Sequence, residues 1–120
     1  MEDNTCFTAM TDDANPDSPL PDPDAMADHA ADAARFLRAI ANDNRLMVLC
    51  RLVEGEQSVS QLQERVPLSQ SALSQHLAVL RREGLVSTRR ESQNIYYALS
   101  DNRARRLLPS LYEIFCGYCT

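Results

Sequence analysis

Beyond residue 21, apolar side chains recur every three or four positions, and this spacing predicts four successive helices. The first begins at Asp22-Pro23, where an N-cap residue precedes a proline at the first helical position. Its apolar stripe consists of Met26, Ala30, Ala33, Leu37 and Ile40. The second helix is capped by Asn42 or Asp43 and ends at Gly55. Its predicted inward face consists of Leu46, Leu49, Cys50 and Val53.

A short third helix and a longer fourth helix are joined by the turn at residues 66–69. Ser58 and Gln61 form a capping box that opens the third helix, and Pro67 ends it. Ser69 caps the fourth helix and Gly84 closes it. Its predicted buried face consists of Leu73, Leu77 and Leu80. Two helices joined in this way have the spacing of a helix-turn-helix.

From Leu85 the pattern changes to two β-prone runs, 85–90 and 95–99, which predict a hairpin without the glycine that favours a tight turn. Ser100 or Asp101 caps a last helix, which Pro109 is expected to kink or split. The apolar positions of that helix are Leu107, Leu108, Leu111, Phe115 and Tyr118. The predicted fold class is mainly α (α+β), a winged helix-turn-helix with the order α-α-α-α-β-β-α.

Charge divides the chain as the hydrophobic pattern does. Residues 1–21 are rich in Asp, Pro, Asn, Ser and Thr, which predicts a disordered acidic tail followed by one domain, 22–120. The formal net charge is −5, but nine of the 17 acids lie in residues 1–34, which hold no Arg or Lys. Residues 35–120 hold twelve bases, all arginine, against eight acids, a net of +4. This basic balance favours a nucleic-acid partner.

Several classes of protein are excluded by composition. No run approaches the roughly 18 apolar residues of a membrane span, and the acidic start lacks the pattern of a secretory signal. We therefore expect a soluble, cytoplasmic protein with no membrane partner. Four cysteines are too few for a disulfide scaffold, so the thiols indicate chemistry or metal binding. A chain of 120 residues is too short for separate cofactor and substrate domains, and we predict neither an enzyme nor a cofactor.

The segment Ser69-Gln70-Ser71-Ala72-Leu73-Ser74-Gln75-His76-Leu77, followed by Leu80-Arg81-Arg82-Glu83-Gly84-Leu85-Val86, resembles the ArsR/SmtB family of winged-helix repressors. The resemblance covers about residues 24–120. It implies a homodimer formed through the first and last helices. A twofold dimer of this kind reads an inverted repeat in double-stranded operator DNA.

The side chains expected to contact DNA lie on the polar face of the fourth helix and on the hairpin, which acts as a wing. The candidate base contacts are Gln70, Ser71, Ser74 and Gln75. The candidate phosphate or minor-groove contacts are Arg81, Arg82, Arg89, Arg90, Gln93 and Asn94. His76 either touches a phosphate or bridges the helix to its neighbours. Such a polar face could equally be an ordinary solvated surface, but the hairpin and the family motif favour DNA.

Cys50 in the second helix and Cys116 in the last helix are the candidate sensing thiols. On the residues alone, a free cysteine is most often a small buried hydrophobe. Metal-sensing relatives place cysteine pairs in the helix before the recognition helix, or Asp and His sets in the last helix. Residues 59–66 contain no cysteine and the last helix contains no histidine, so no such metal site is predicted.

The arrangement of these two cysteines instead resembles the persulfide-sensing branch of the family, the SqrR- and BigR-like repressors. That resemblance implies sulfane-sulfur donors as effectors and a di- or polysulfide bridge between Cys50 and Cys116 that releases the DNA. The alternative is a soft-metal or metalloid sensor that uses Cys50, Cys116 and Cys119.

Two further cysteines are accessory in this interpretation. Cys119 completes a Cys-x-x-Cys with Cys116, but at a helix C-terminus, where the dipole does not favour the thiolate. It is therefore a spare partner for Cys116 or half of a soft-metal site. Cys6 lies in the tail and has no assigned role. A thiol oxidoreductase would need a fold that this sequence lacks, and an interaction module that lost DNA binding would lack the polar recognition face.

Overall fold

A computed structural model describes residues 22–117 as five helices and one three-stranded sheet. In chain order the elements are α1 (Pro23–Ile40), α2 (Asp43–Val53), β1 (Gln57–Ser58), α3 (Val59–Arg65), α4 (Gln70–Arg82), β2 (Val86–Glu91), β3 (Asn94–Leu99) and α5 (Asn102–Cys116). This confirms the predicted winged helix-turn-helix and adds β1. The predicted tail, Tyr118 and Cys119 lie outside the described residues. Within those residues no helix combines the length and the apolar character that crossing a membrane requires.

Side-chain caps fix where the helices begin. Asn42, rather than Asp43, caps α2, accepting hydrogen bonds from two backbone N–H groups at 3.0 and 3.1 Å. The capping box of α3 is complete, because Ser58 Oγ accepts from the Gln61 N–H at 3.2 Å and Gln61 Oε1 accepts from the Ser58 N–H at 2.9 Å. The other helices are capped by Asp22, Ser69 and Asp101.

The sheet is antiparallel, with the order β1-β3-β2, so β3 lies in the middle. The two-residue β1 pairs Gln57 with Tyr97 and is too short to show an alternating pattern in the sequence. Ser92 has a φ of 59° in the turn between β2 and β3. The hairpin therefore forms without glycine because a serine takes the left-handed conformation.

The core lies where α2, α3, α4 and α5 meet the sheet. Its most completely buried side chains are Val48, Leu49, Leu62, Leu73, Leu77, Leu80, Leu85 and Leu108. The predicted face of α4 is confirmed. The predicted face of α2 is partly wrong, because Val48, Leu49 and Leu52 are buried while Cys50 and Val53 are exposed. Two apolar stripes of α2 share Leu49, and periodicity alone does not decide which of them faces the core.

Helix α5 runs unbroken through Pro109, so the expected split does not occur. Proline removes one N–H from the helical ladder. Leu108, next to it, is fully buried and fixes this turn of the helix on the core. Beyond Pro109, Leu111 still packs against the core, whereas Phe115 is 80% exposed in the single chain.

Candidate functional site

The helix-turn-helix presents a polar face at the start of α4. Ser69 begins the helix by accepting a hydrogen bond from the Ala72 N–H at 3.2 Å. Leu73, Leu77 and Leu80 fasten the opposite face to the core. The structure leaves all four candidate base contacts exposed in the first two turns of α4, namely Gln70, Ser71, Ser74 and Gln75. Amide and hydroxyl groups at these positions can donate to and accept from base edges.

The remaining candidates on α4 differ in their surroundings. His76 is half-buried on the flank of the helix, so its position is compatible with either of the roles considered for it. Arg81 and Arg82 are exposed in the last turn. The guanidinium of Arg82 lies 3.9 Å from the Glu83 carboxylate, whereas Arg81 forms no ion pair within residues 22–117.

The wing carries one arginine that is already paired and one that is not. The Arg89 guanidinium donates to both carboxylate oxygens of Glu56, at 2.8 and 2.9 Å, and lies 4.8 Å from the centre of the Tyr96 ring. The hydrogen bond from Arg89 lowers the pKa of Glu56, and Glu56 raises the pKa of Arg89. Arg90 is exposed and has no ion pair in the described part of the chain. Gln93 and Asn94 are exposed at the hairpin tip.

Sequence reasoning missed the contacts that connect α1 to the end of α4. Arg35 donates to Glu83 at 2.7 Å, and this hydrogen bond lowers the pKa of the Glu83 carboxyl. Nearby, the Arg103 guanidinium lies 4.6 Å from the centre of the Phe36 ring. These partners are far apart in sequence and belong to different helices, so no local pattern identifies them.

Cys50 and Cys116 belong to different helices and both are free and exposed. The prediction that Cys50 lies on the inward face of α2 is wrong. Cys50 instead lines a cavity between α2 and α5. The cavity wall consists of Cys50, Val53, Leu108, Pro109, Tyr112 and Glu113.

The electrostatics of Cys50 couple it to Cys116. Burial of the sulfur raises the pKa of the Cys50 thiol, and repulsion by the Cys116 thiolate raises it further. The positive charge of Arg51 acts in the opposite direction.

Residues 22–117 contain no group of three or more His, Cys, Asp or Glu side chains placed to hold a metal ion. The soft-metal site considered as the alternative also requires Cys119, which, like Cys6, lies outside the described residues. That site therefore stays a prediction.

Comparisons with known proteins agree with this architecture. Residues 42–88 match the family model described as "Bacterial regulatory protein, arsR family". The chain is 47% identical over 91 residues to the transcriptional activator HlyU of Vibrio cholerae, covering 76% of this chain and 84% of the relative. It is 45% identical over 99 residues to the biofilm growth-associated repressor of Agrobacterium fabrum, covering 82% of each. The crystal structure of the repressor BigR from Xylella fastidiosa superposes with a TM-score of 0.78 at 40% identity, covering 82% of this chain and 100% of that one.

These relatives are transcriptional regulators and not enzymes, as predicted. Regulators of this kind bind operator DNA and typically form homodimers. Because the family model, the relatives and the solved structures all match, the chain belongs to the ArsR family of winged helix-turn-helix transcriptional regulators.

Proposed function

We propose that this protein is a homodimeric repressor that leaves its operator when sulfane sulfur joins Cys50 to Cys116. The observation that carries the proposal is that α2 and α5, which pack against each other, each present one free, exposed thiol. Two nucleophilic sulfurs on separate helices can record a chemical signal as a cross-link. The relatives named as repressors support the direction of regulation.

The sensing reaction needs a persulfide donor of the type R–S–SH as its oxidant. The thiolate of one cysteine attacks the outer sulfur, a cysteine persulfide forms, and R–S⁻ leaves as the donor is reduced. The thiolate of the second cysteine then attacks the cysteine-bound sulfur and expels HS⁻, which leaves a disulfide. If the second cysteine is itself a persulfide, the same displacement leaves a trisulfide. A direct disulfide requires Cα atoms within about 7 Å, and each extra S–S bond adds about 2 Å of reach.

Helix α2 provides the mechanical link between the thiols and the DNA. It packs against both α4 and α5. Leu49, next to Cys50, is fully buried in the same core as Leu73 and Leu77 of α4. Because such a core is closely packed, a bridge that draws α2 toward α5 displaces α4. The bridged form must bind the operator more weakly, by about 1–3 kcal/mol or more.

The DNA complex follows from the exposed faces of α4 and the wing. The polar side chains at the start of α4 read the major groove, while Arg81, Arg82 and Arg90 contact phosphates. Apolar side chains that are exposed on α1 and α5 form the dimer contact, among them Met26, Leu37, Tyr112 and Phe115. If the dimer neutralises about six phosphates, log K falls against log salt with a slope of roughly −5.

The decisive experiment combines peptide mapping with operator binding. The protein is reduced without oxygen, treated with a polysulfide donor, and digested for mass spectrometry of the cysteine peptides. We expect Cys50 and Cys116 peptides joined with or without added sulfur atoms, and parallel loss of operator affinity. A Cys116→Ser variant should keep its affinity after treatment, while a matched Cys119→Ser variant should lose it as the native chain does.

Other outcomes contradict the proposal. Release of DNA from both the native chain and Cys116→Ser would show that the bridge is not the signal. A bridge confined to Cys116 and Cys119, or thiols labelled without bridging, would move the assignment to a soft-metal or metalloid sensor. Stoichiometric metal binding through Cys50, Cys116 and Cys119, with no response to polysulfide, would establish that alternative.

A further inference from the structure

An apolar cavity of about 290 Å³ lies beside the Cys50 thiol, between α2 and α5. Val53, Leu108 and Pro109 supply aliphatic walls, and the Tyr112 ring lies on the α5 side. An engineered apolar cavity of about 150 Å³ can hold a benzene molecule. Pockets for drug-sized ligands begin near 300 Å³. The space next to Cys50 thus has the size and the lining for one small hydrocarbon group.

We propose that this cavity receives the organic part of a small apolar persulfide and so makes the sensor selective for such donors. The inference rests on the proposed function and names the substrate class of that same site. It assigns the first step to Cys50, since Cys50 lines the cavity and Cys116 does not.

The reaction at the cavity is a displacement at sulfur. The Cys50 thiolate attacks the outer sulfur of R–S–SH, the new bond joins that sulfur to Cys50, and the bond within the donor breaks. The Cys50 sulfur is oxidised and the donor is reduced to R–S⁻, which takes a proton from water. With R seated against Val53 and Leu108, the outer sulfur is presented to Cys50, because the two reacting groups are held together before the bond forms.

The lining disfavours donors that carry charge on the organic group. A charged group placed against Val53, Leu108 and Pro109 would lose water without gaining a partner, and such desolvation is costly. The ionisable wall residues are Cys50, Tyr112 and Glu113, and none of them is cationic; the positive charge of Arg51, which acts on Cys50, lies outside this wall. The cavity should therefore not speed the reaction of Cys50 with glutathione persulfide, which carries two carboxylates. It should speed the reaction with benzyl persulfide, whose organic group can contact the cavity wall.

The test compares these two donors on the full chain, with and without a filled cavity. Val53 lies on the cavity wall and is 45% exposed, so Val53→Phe can fill the space without disturbing the core. Met47 is also exposed on α2 but does not line the cavity, so Met47→Phe is the matched control. The measured quantity is the rate of sulfur addition to Cys50, by rapid quenching and mass spectrometry, at equal donor concentrations. For each variant, the rate with benzyl persulfide is divided by the rate with glutathione persulfide. Comparing this ratio among variants removes the difference in intrinsic reactivity between the two donors.

We expect Val53→Phe to lower that ratio at least fivefold and Met47→Phe to leave it unchanged. An equal ratio in the native chain and Val53→Phe, with Cys50 still modified by both donors, would overturn the cavity proposal and leave sulfur sensing intact. Equal slowing of both donors in Val53→Phe would also overturn it, since the cavity would then only shield the thiol. Failure of both donors to modify Cys50 in the native chain would instead overturn the proposed function.

Discussion

Arg89 of the wing and Glu56, which precedes β1, form a two-pronged ion pair with distances of 2.8 and 2.9 Å. The same guanidinium is stacked on Tyr96, its cross-strand partner in β3. An arginine predicted to contact phosphate is thus already bound to an anion within the protein. A DNA phosphate can use the Arg89 fork only by displacing the Glu56 carboxylate, since both ligands take the same donors.

The pairing predicts that Glu56→Gln will bind DNA more tightly than the native protein. The substitution frees Arg89 for a phosphate and removes a negative charge beside the wing. We expect a severalfold gain in affinity at low salt, and a salt slope that is steeper by about one per protomer. Electrophoretic mobility or fluorescence anisotropy across a salt series measures both quantities.

The control for this experiment is Glu54→Gln, which changes the net charge equally. Glu54 pairs with Arg65 at 3.0 Å and with Arg51 at 3.7 Å, and within residues 22–117 it forms no ion pair with the wing, so its loss should leave the salt slope almost unchanged. An unchanged slope in Glu56→Gln would mean that Arg89 stays out of the DNA contact even when it is free.

The raised pKa of Cys50 predicts how its rate of alkylation depends on pH. Because burial and the Cys116 thiolate raise the pKa of Cys50, the reactive thiolate is scarce near pH 7 and its population grows as the pH rises through the raised pKa. The rate of Cys50 alkylation by iodoacetamide should therefore climb with pH, with a midpoint above the roughly 8.5 of a free thiol. Peptide mass spectrometry of time points at several pH values gives the curve.

Two substitutions separate the causes of this shift. Cys116→Ser removes the like charge and should move the Cys50 midpoint to lower pH. Arg51→Gln removes the favourable positive charge and should move it to higher pH. An unchanged Cys50 midpoint in Cys116→Ser would show that the two sulfurs are too far apart to interact, and it would count against the proposed bridge.

Much of this molecule could be predicted from its sequence because its local signals are strong. Ser58 with Gln61 marks the start of α3, and the leucines of α4 mark its buried face. The structure confirms both predictions. The exposed position of Cys50 could not be predicted, since α2 carries two apolar stripes and only packing selects one. The pair of Arg35 with Glu83 and that of Arg89 with Glu56 join residues from separate elements. Nothing in the local pattern connects such partners, so only the three-dimensional structure finds them.

The cap of α5 combines two stabilising interactions that can be separated by substitution. Asp101 accepts from the backbone N–H groups of Arg103 and Ala104 at 2.7 and 3.3 Å, and its carboxylate also pairs with the Arg103 guanidinium at 2.7 Å. Asp101→Ala should lower the free energy of unfolding by about 1 kcal/mol or more, since both interactions are lost. Asp101→Asn should cost less, because asparagine caps as well and only the ion pair with the half-exposed Arg103 is lost.

The same cap predicts that the free energy of unfolding depends on pH in the acid range. The arginine and the two N–H groups lower the pKa of Asp101 in the folded state. Its stabilisation is therefore complete above the unfolded pKa of about 3.9 and disappears as the pH falls through the lower folded value. Urea unfolding at fixed protein concentration should show a shallower loss of stability below pH 4 for Asp101→Asn than for the native chain. Identical acid profiles would show that the ion pair contributes nothing.

Gly84 ends α4 in a left-handed conformation, with a φ of +79°. A Cβ at this position would meet nothing within 4 Å, so a side chain causes conformational strain and no clash. Gly84→Ala should lower the free energy of unfolding by about 1–2 kcal/mol. Gly84→Asn should cost less, because asparagine tolerates this region better than alanine. Equal losses for the two variants would point to a cause other than backbone strain.

The acidic segment at residues 1–21 is expected to act against binding to unspecific DNA. It holds five acids and no Arg or Lys, so its negative charge is expected to compete with phosphate for arginines. Deleting residues 1–21 should raise affinity for random-sequence DNA severalfold at low salt and steepen the salt slope, with a smaller effect on the operator. Replacing those five acids by Asn and Gln is the matched control, and it should reproduce the deletion because charge rather than length is responsible. If the deletion leaves the salt slope unchanged, the segment has no electrostatic part in binding. If the deletion changes the affinity and the neutralised segment does not, the segment acts through its bulk.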